Sequence, residues 1–293
     1  MNGIVQYINS VGEIFVYFAA VVLVESIALM LLVLLLAVVP RKKITASLRY
    51  WLTTLVLLPL ILMLVTLSYI SVEHWRSSAV LGPAPAAGAS ATAALPPMTW
   101  HGAVFLAWLV AMLVMALIFI QRTLSARRLV ANAKKANGLM EDALVHCCEC
   151  MDVKTKVGLK VAADGTSPAV CGLFRPTILV PQNLAPTLGS RHLRAVLLHE
   201  LAHIKRGDVW VNFAQSLILI FYFYNPLVWI IGFVIRKIRE QAVNEKVRAV
   251  MGEQAPWYAE TLASVAKLGL KRPGLGLCMV GVTAFDRDAE RQD

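Results

Sequence analysis

Three long apolar runs limit what this chain can become. Phe15 to Pro40 is interrupted only by Glu25 and Ser26, and two further runs, Trp51 to Val72 and Trp100 to Ile120, follow it. Each is close to the ~20 residues that a helix needs to cross ~30 Å of hydrocarbon. Inside a bilayer every backbone N–H and C=O has to be bonded within the segment, so such runs read as spanning helices. Composition agrees: 58% of the 293 residues are hydrophobic and only 16% are charged. Disordered, collagen-like and disulfide-dense secreted chains are excluded by that balance. The first run follows no basic residue and is longer than the roughly 7–15 apolar residues of a signal peptide, so it reads as a retained span.

The net charge is +10, and its placement explains it. Residues 1–40 hold no Lys or Arg, whereas Arg41, Lys42, Lys43 and Arg49 lie between the first two runs. Only Arg76 lies between the second and third runs, and Arg122, Arg127, Arg128, Lys134 and Lys135 come after the third. Basic residues stay on the cytoplasmic side, so the N-terminus is expected outside and everything after 122 inside. The excess is a topology signal, and no motif or aromatic-basic face accompanies it, so direct nucleic-acid binding is not expected. Residues 79–98 form an outer loop rich in Ala and Pro, with the composition of a linker. Glu25, within the first run, is a candidate functional residue because intramembrane carboxylates are costly to place; the plainer alternative is a neutral group at a helix contact.

Chemistry concentrates at His199-Glu200-Leu201-Ala202-His203. On a helix, residues four apart share a face, so both imidazoles can reach one Zn²⁺. Glu200, next to the first histidine, is placed to act as general base. A catalytic zinc takes a third protein ligand, and Glu240 and Glu245 are the candidate carboxylates downstream; spacing does not choose between them. Asn244, four residues after Glu240, could orient a ligand histidine by accepting its other ring N–H. For the group that stabilises the developing oxyanion, Tyr222, Tyr224, Tyr258 and His192 are candidates of equal standing.

The ligands have to meet on one side of the membrane, yet Val209 to Ile235 is apolar enough to read as a fourth span. Basic residues flank both ends, Lys205 and Arg206 before and Arg236, Lys237 and Arg239 after, so both ends read as cytoplasmic, and Tyr224-Asn225-Pro226 at its middle is a helix stop followed by a cap and a restart. A helical hairpin dipping into the membrane over 209–235 is expected, each half too short to cross alone. Before the zinc motif, Val157–Ala163, Ala169–Gly172 and Thr177–Val180 read as short strands punctuated by Gly and Pro. An edge of that sheet could hold an extended peptide by backbone pairing, or the sheet could be purely structural. The cluster His146-Cys147-Cys148-Glu149-Cys150 has poor spacing for a closed metal site, so its thiols read as structural or incidental.

Several of these pieces, taken in order, resemble the BlaR/MecR-type membrane zinc metallopeptidases, which are gluzincin-like at the active site. They are Ser167 to Gly172, Arg175 to Pro181, Leu198 to Asp208, Asn225 to Trp229, and Arg239-Glu240. The resemblance implies an α-helical membrane protein with an α+β zincin-like cytoplasmic metallopeptidase domain. Three transmembrane helices would lie in residues 1–121, and the peptidase domain with its hairpin in 122–293. It implies His199, His203 and Glu240 as ligands of one zinc ion per chain, Glu200 as catalytic base, and Asp208 as a supporting acid. It also implies a bacterial inner membrane, and as substrate a transcriptional repressor or the chain itself.

Two departures from the family stand out. Val243-Asn244 replaces the usual Cys-Asp, and a neutral Asn holds a histidine less firmly than a carboxylate. The β-lactam receptors of the family continue into an outer penicillin-binding domain, whereas this chain ends at Asp293 and its outer loop has no Ser-x-x-Lys. Antibiotic sensing by this chain is therefore not expected, and a separate sensor partner would take that role. The competing expectations are a catalytically inactive signalling or scaffold protein with a degraded zinc site, and a transporter. Three spans without an internal repeat argue against a transporter.

Overall fold

A computed structural model describes residues 2–38, 45–63, 65, 97–162, 168–182 and 184–270. Residues 41–44 of the first basic loop, most of the Ala/Pro-rich loop 79–98, Gly165, Ser167, Cys278 and the apolar stretch 275–285 lie outside the described residues. What is described is mostly helical, with a small mixed sheet: α1 (Asn2–Val38), α2 (Ala46–Leu55), α3 (Trp100–Asn132), α4 (Gly138–Met151), α5 (Leu184–Arg206), α6 (Asp208–Phe221), α7 (Pro226–Met251) and α8 (Ala255–Leu270). Among the described residues, three helical stretches are long and apolar enough to cross a membrane: Ile4–Leu36, Ala46–Met63 and Trp100–Asn132. They overlap the three apolar runs, but they do not stop where the runs stop. The third continues twelve residues past Ile120 through Arg122, Arg127 and Arg128, because a helix goes on satisfying its own backbone in water as well as in lipid.

Two compact units alternate along the chain. Met1–Val39, Leu52–Ala116 and Ile218–Val234 form the first, and Pro40–Trp51, Leu117–Leu217 and Ile235–Asp293 the second. Within the first unit the apolar helices pack through aromatic rings. Phe15 lies 4.7 Å from Trp108 and 5.7 Å from Phe105, centroid to centroid. Gly12 allows a closer approach still: a Cβ there would sit 2.6 Å from the backbone of His101. The turn between α6 and α7 also belongs to this unit. Tyr222 donates to the Leu60 carbonyl (2.9 Å), Trp108 Nε1 donates to the Phe221 carbonyl (3.2 Å), and Asn225 Nδ2 donates to Ser26 Oγ (2.6 Å). Asn225 Oδ1 accepts the Leu227 N–H and Pro226 opens α7, the cap and restart that the sequence pattern calls for. Glu25 is exposed beside buried Ser26.

The second unit holds the sheet, in the order β1-β2-β4-β3. Its strands are β1 (Lys134–Lys135), β2 (Gly158–Ala162), β3 (Ala169–Cys171) and β4 (Thr177–Pro181). β2 and β4 run parallel, with Leu159 opposite Ile178, and β1 and β3 are antiparallel to their neighbours. Strand β1 carries no hydropathy signal, because a two-residue edge of lysines is a common way of blunting a sheet. The core lies between this sheet and the helices: Ile178 and Val180 from β4, Leu144, Cys147 and Met151 from α4, Leu197, Leu198 and Leu201 from α5, Val243 and Val247 from α7, and Tyr258 from α8. Helix α5 is kinked at Gly189 (φ 81°), and Gly207 (φ 77°) ends it, a left-handed conformation that glycine adopts without a Cβ clash. The regular stretch between those glycines carries the His-Glu-x-x-His motif.

Candidate metal centre

His199 and His203 project from the same face of α5, one turn apart, and both are buried. Their apolar neighbours Leu197, Leu198 and Leu201 point into the core, so core packing of α5 fixes where the imidazoles point. Helix α7 brings Glu240 to them. His199 Nε2 and His203 Nε2 are 3.3 Å apart, and Glu240 Oε2 lies 3.6 and 3.7 Å from them. Ligand atoms held tetrahedrally at the usual zinc distances are about 3.3–3.4 Å apart, so the triangle suits such an ion. The donor set of two imidazoles and one carboxylate suits it too. Among the described residues, this is the group of three or more metal-ligating side chains brought within ligating distance of one another. Glu240 is partly exposed, unlike the two histidines.

Glu245, the rival carboxylate, turns elsewhere: its Oε2 accepts the Ala46 N–H at the start of α2 (3.3 Å). Glu200 is buried on α5. It lies near enough to Tyr258 and to Cys171 on β3 for its charge to act on both.

The remaining ring nitrogens are held by two different partners. His203 Nδ1 bonds Asp208 Oδ2 at 2.7 Å, and Asp208 is in turn gripped by the Arg206 guanidinium (Nε to Oδ1 2.9 Å, Nη2 to Oδ2 2.6 Å). His199 Nδ1 bonds the Tyr258 hydroxyl at 2.7 Å, and that hydroxyl donates to Asn244 Oδ1 at 2.5 Å. Each bond uses Nδ1 and leaves Nε2 toward Glu240. Asn244 thus reaches the histidine through Tyr258 and not by the direct contact that its helical spacing suggests.

Electrostatics separates the two rings. Burial, reinforced by the charge of His203, pushes the His199 pKa well below the ordinary imidazole value. Burial acts the same way on His203, but the charge of Glu240 and the bond to Asp208 outweigh it and raise its pKa. Burial would favour the neutral acids of Glu240 and Asp208; the hydrogen bonds and charges of His203, with Arg206 at Asp208, instead hold both carboxyls below their usual range. Burial pushes the Tyr258 hydroxyl far above the usual phenol value, so it stays a proton donor.

Arg206 and Arg239 read along the chain as charges flanking 209–235, yet both pack at the centre. Arg239 is buried, with Nη1 donating to Asn212 Oδ1 (3.3 Å) and Nε 3.6 Å from Glu240 Oε1. Its carbonyl accepts from Arg206 Nη2 (3.0 Å). A basic residue two positions before an Asp was the available signal, but the flanking-charge reading of 209–235 accounted for Arg206 without a second role. Of the oxyanion candidates, Tyr222 and Tyr224 belong to the first unit, and Tyr258 is engaged with His199 and Asn244. His192 Nδ1 bonds Thr261 Oγ1 at 2.7 Å. His146 and Cys150 lie on one exposed edge of α4, whereas Cys147 is buried in the core, so that run is split between faces.

A profile of the BlaR1 peptidase M56 family matches residues 17–274. The chain belongs to that family. It is similar to the regulatory protein BlaR1 of Bacillus licheniformis, 33% identical over 128 residues, which cover 43% of this chain and 21% of that protein. It is also similar to the methicillin resistance mecR1 protein of Staphylococcus aureus (strain Mu50), 25% identical over 77 residues, or 26% of this chain and 13% of that one. A third relative is the uncharacterized protein MJ1213 of Methanocaldococcus jannaschii, 31% identical over 71 residues, or 24% of this chain and 64% of that one. The matched segments therefore span about a fifth of BlaR1 and less of mecR1, while the family match runs through every residue of the centre described above.

Proposed function

We propose that this M56 family member is a membrane-bound zinc endopeptidase working on the cytoplasmic side of a bacterial inner membrane. The observation that carries this is the triangle of His199 Nε2, His203 Nε2 and Glu240 Oε2 on two separate helices, with buried Glu200 next to His199 in the chain. His199, His203 and Glu240 would hold one zinc ion per chain, which supplies Lewis-acid polarisation of a peptide carbonyl and lowers the pKa of water. Glu200 takes the proton from the attacking water and passes it to the leaving amine. Asp208 and Tyr258 keep both imidazoles in the Nδ1–H tautomer, with Nε2 available as a ligand. His192 lies two helical turns before His199, on the same face of α5. Its Nδ1 donates to Thr261 Oγ1, whose own proton goes to the Trp257 carbonyl, so Nε2 is the ring atom left toward a substrate and would donate to an oxyanion only with both ring nitrogens protonated.

Residues 1–121 would form the membrane region with its N-terminus outside, and 122–293 a zincin-like domain, with 209–235 dipping into the bilayer as a hairpin. The similarity to proteins named as a regulator and as a resistance protein supports a signalling role. The substrate would be a transcriptional repressor or the chain itself, with a separate partner sensing the stimulus.

The direct test is zinc per chain in detergent-purified protein, wild type beside Glu240→Ala. Near-stoichiometric zinc that falls in the variant, and a cleavage product that disappears with Glu200→Gln, are expected. No zinc in a well-folded wild type would overturn this function. It would favour an inactive signalling scaffold, for which the neutral Asn244 is the motive. Cysteine labelling that reaches 236–245 only from outside the cell would overturn the orientation.

A further inference from the structure

Arg206 makes more contacts than orientation of one carboxylate requires. Its fork grips Asp208, the partner of His203, through two bonds of 2.9 and 2.6 Å. The same guanidinium donates to the Arg239 carbonyl (3.0 Å), the peptide unit that leads into Glu240. One side chain therefore ties the support of a histidine on α5 to the backbone that carries the carboxylate on α7. Arg206 is in turn seated on a ring: its Cζ lies 4.3 Å from the centroid of Tyr50. Tyr50 is fully buried; its hydroxyl lies near enough to the Asp208 carboxylate for the two to act on each other, without a well-formed hydrogen bond, and its ring face is the part that meets Arg206. A guanidinium desolvated over an aromatic face gains from the ring quadrupole and keeps its plane fixed. Tyr50 lies in α2, the start of the second apolar helix, and Ala46 of that helix donates to Glu245 on α7.

We propose that Tyr50, acting through Arg206, is a positioning residue that sets the spacing of His203 and Glu240. The start of the second apolar helix is thereby part of the metal centre. This rests on the zinc-site assignment above.

The test uses the full chain in detergent, with release of zinc to a chromogenic chelator and the visible spectrum of the Co²⁺-substituted protein. Tyr50→Leu fills the space without a π face and should speed zinc release by about 10-fold, the lower end for supporting residues of metal sites, and should shift the cobalt bands. Tyr50→Phe should stay within about twofold of wild type with unchanged bands, because it keeps the ring. Should Tyr50→Leu fail to fold, Arg206→Lys decides: it keeps the charge but loses the fork, and should also release zinc about 10-fold faster. Wild-type release from Tyr50→Leu, damage by Tyr50→Phe equal to that of Tyr50→Leu, or wild-type release from Arg206→Lys each overturns the proposal. A wild type that binds no zinc overturns the zinc assignment and this proposal together, whereas normal wild-type binding with an indifferent Tyr50→Leu overturns this proposal alone.

Discussion

The two sides of the candidate metal centre solve one problem by different means. On the His203 side, a buried carboxylate is paired with an arginine fork, and both are charged. On the His199 side, a phenol and an amide make a chain of the same length with no formal charge. The difference follows from where each partner comes from. Asp208 follows His203 by five residues, across the Gly207 turn, so a short local segment brings Arg206 and Asp208 in together. Tyr258 and Asn244 arrive from α8 and α7, Tyr258 fully buried in the core and Asn244 half-buried beside it. An unpaired charge there would cost several kcal/mol, and neutral groups satisfy one another more cheaply. The centre is therefore rigid and charged on one side, and neutral and dependent on packing on the other.

Four substitutions test that asymmetry, from the largest expected effect down. Glu200→Gln should abolish cleavage, a fall of about 10²–10⁴ or more, while zinc content measured by metal analysis stays near wild type. Loss of zinc in that variant would mean that Glu200 belongs to the support and not to the chemistry. Asp208→Ala should weaken zinc binding by about 10–100-fold in chelator competition, because His203 loses its orienting acceptor and the partly buried Arg206 loses its ion-pair partner. Tyr258→Phe should weaken it less, about 3–10-fold, since only a neutral bond to His199 is lost. Equal losses in the two variants would erase the distinction between the sides. Asn244→Asp should tighten zinc binding by about two- to fivefold, by making Tyr258 a better-anchored partner; a weaker site would show that the neutral environment is required.

The thiols report how tightly the core behind α5 is closed. Burial pushes Cys147 and Cys171 up to about 12, so both remain neutral thiols well above the pKa of a free cysteine. Native alkylation at pH 8, read by mass spectrometry, should label exposed Cys150 and spare those two. The sign for stability follows. The folded chain holds these protons more tightly than the unfolded one, so the contribution is complete below about pH 8.5 and is lost as pH rises toward 12. Rapid labelling of Cys147 or Cys171 at pH 8 would mean that the sheet and α4 open readily.

Much of this was legible in the chain itself. The three apolar helices follow from runs long enough to cross a bilayer, a property of local composition. The shared face of His199 and His203 follows from helical periodicity, and the Asn225-Pro226 restart from the chemistry of two adjacent residues. Strands β2, β3 and β4 were readable from short apolar runs between prolines and glycines. Strand β1 was not, because Lys134 and Lys135 pair only once β2 is beside them.

The tertiary structure decided what depends on segments meeting from far apart. Glu240 and Glu245 are indistinguishable by spacing, and the packing of α7 turns one toward the histidines and the other toward Ala46. Tyr258 was one of four equal candidates for a different role until α8 set it against His199. Arg206 and Arg239 counted along the chain as topology charges, yet both work within the centre. A charge has the same sign wherever it sits, so a linear count cannot tell a solvated arginine from one folded against a carboxylate. Only the three-dimensional arrangement sets the local dielectric and the partners that give each charge its use.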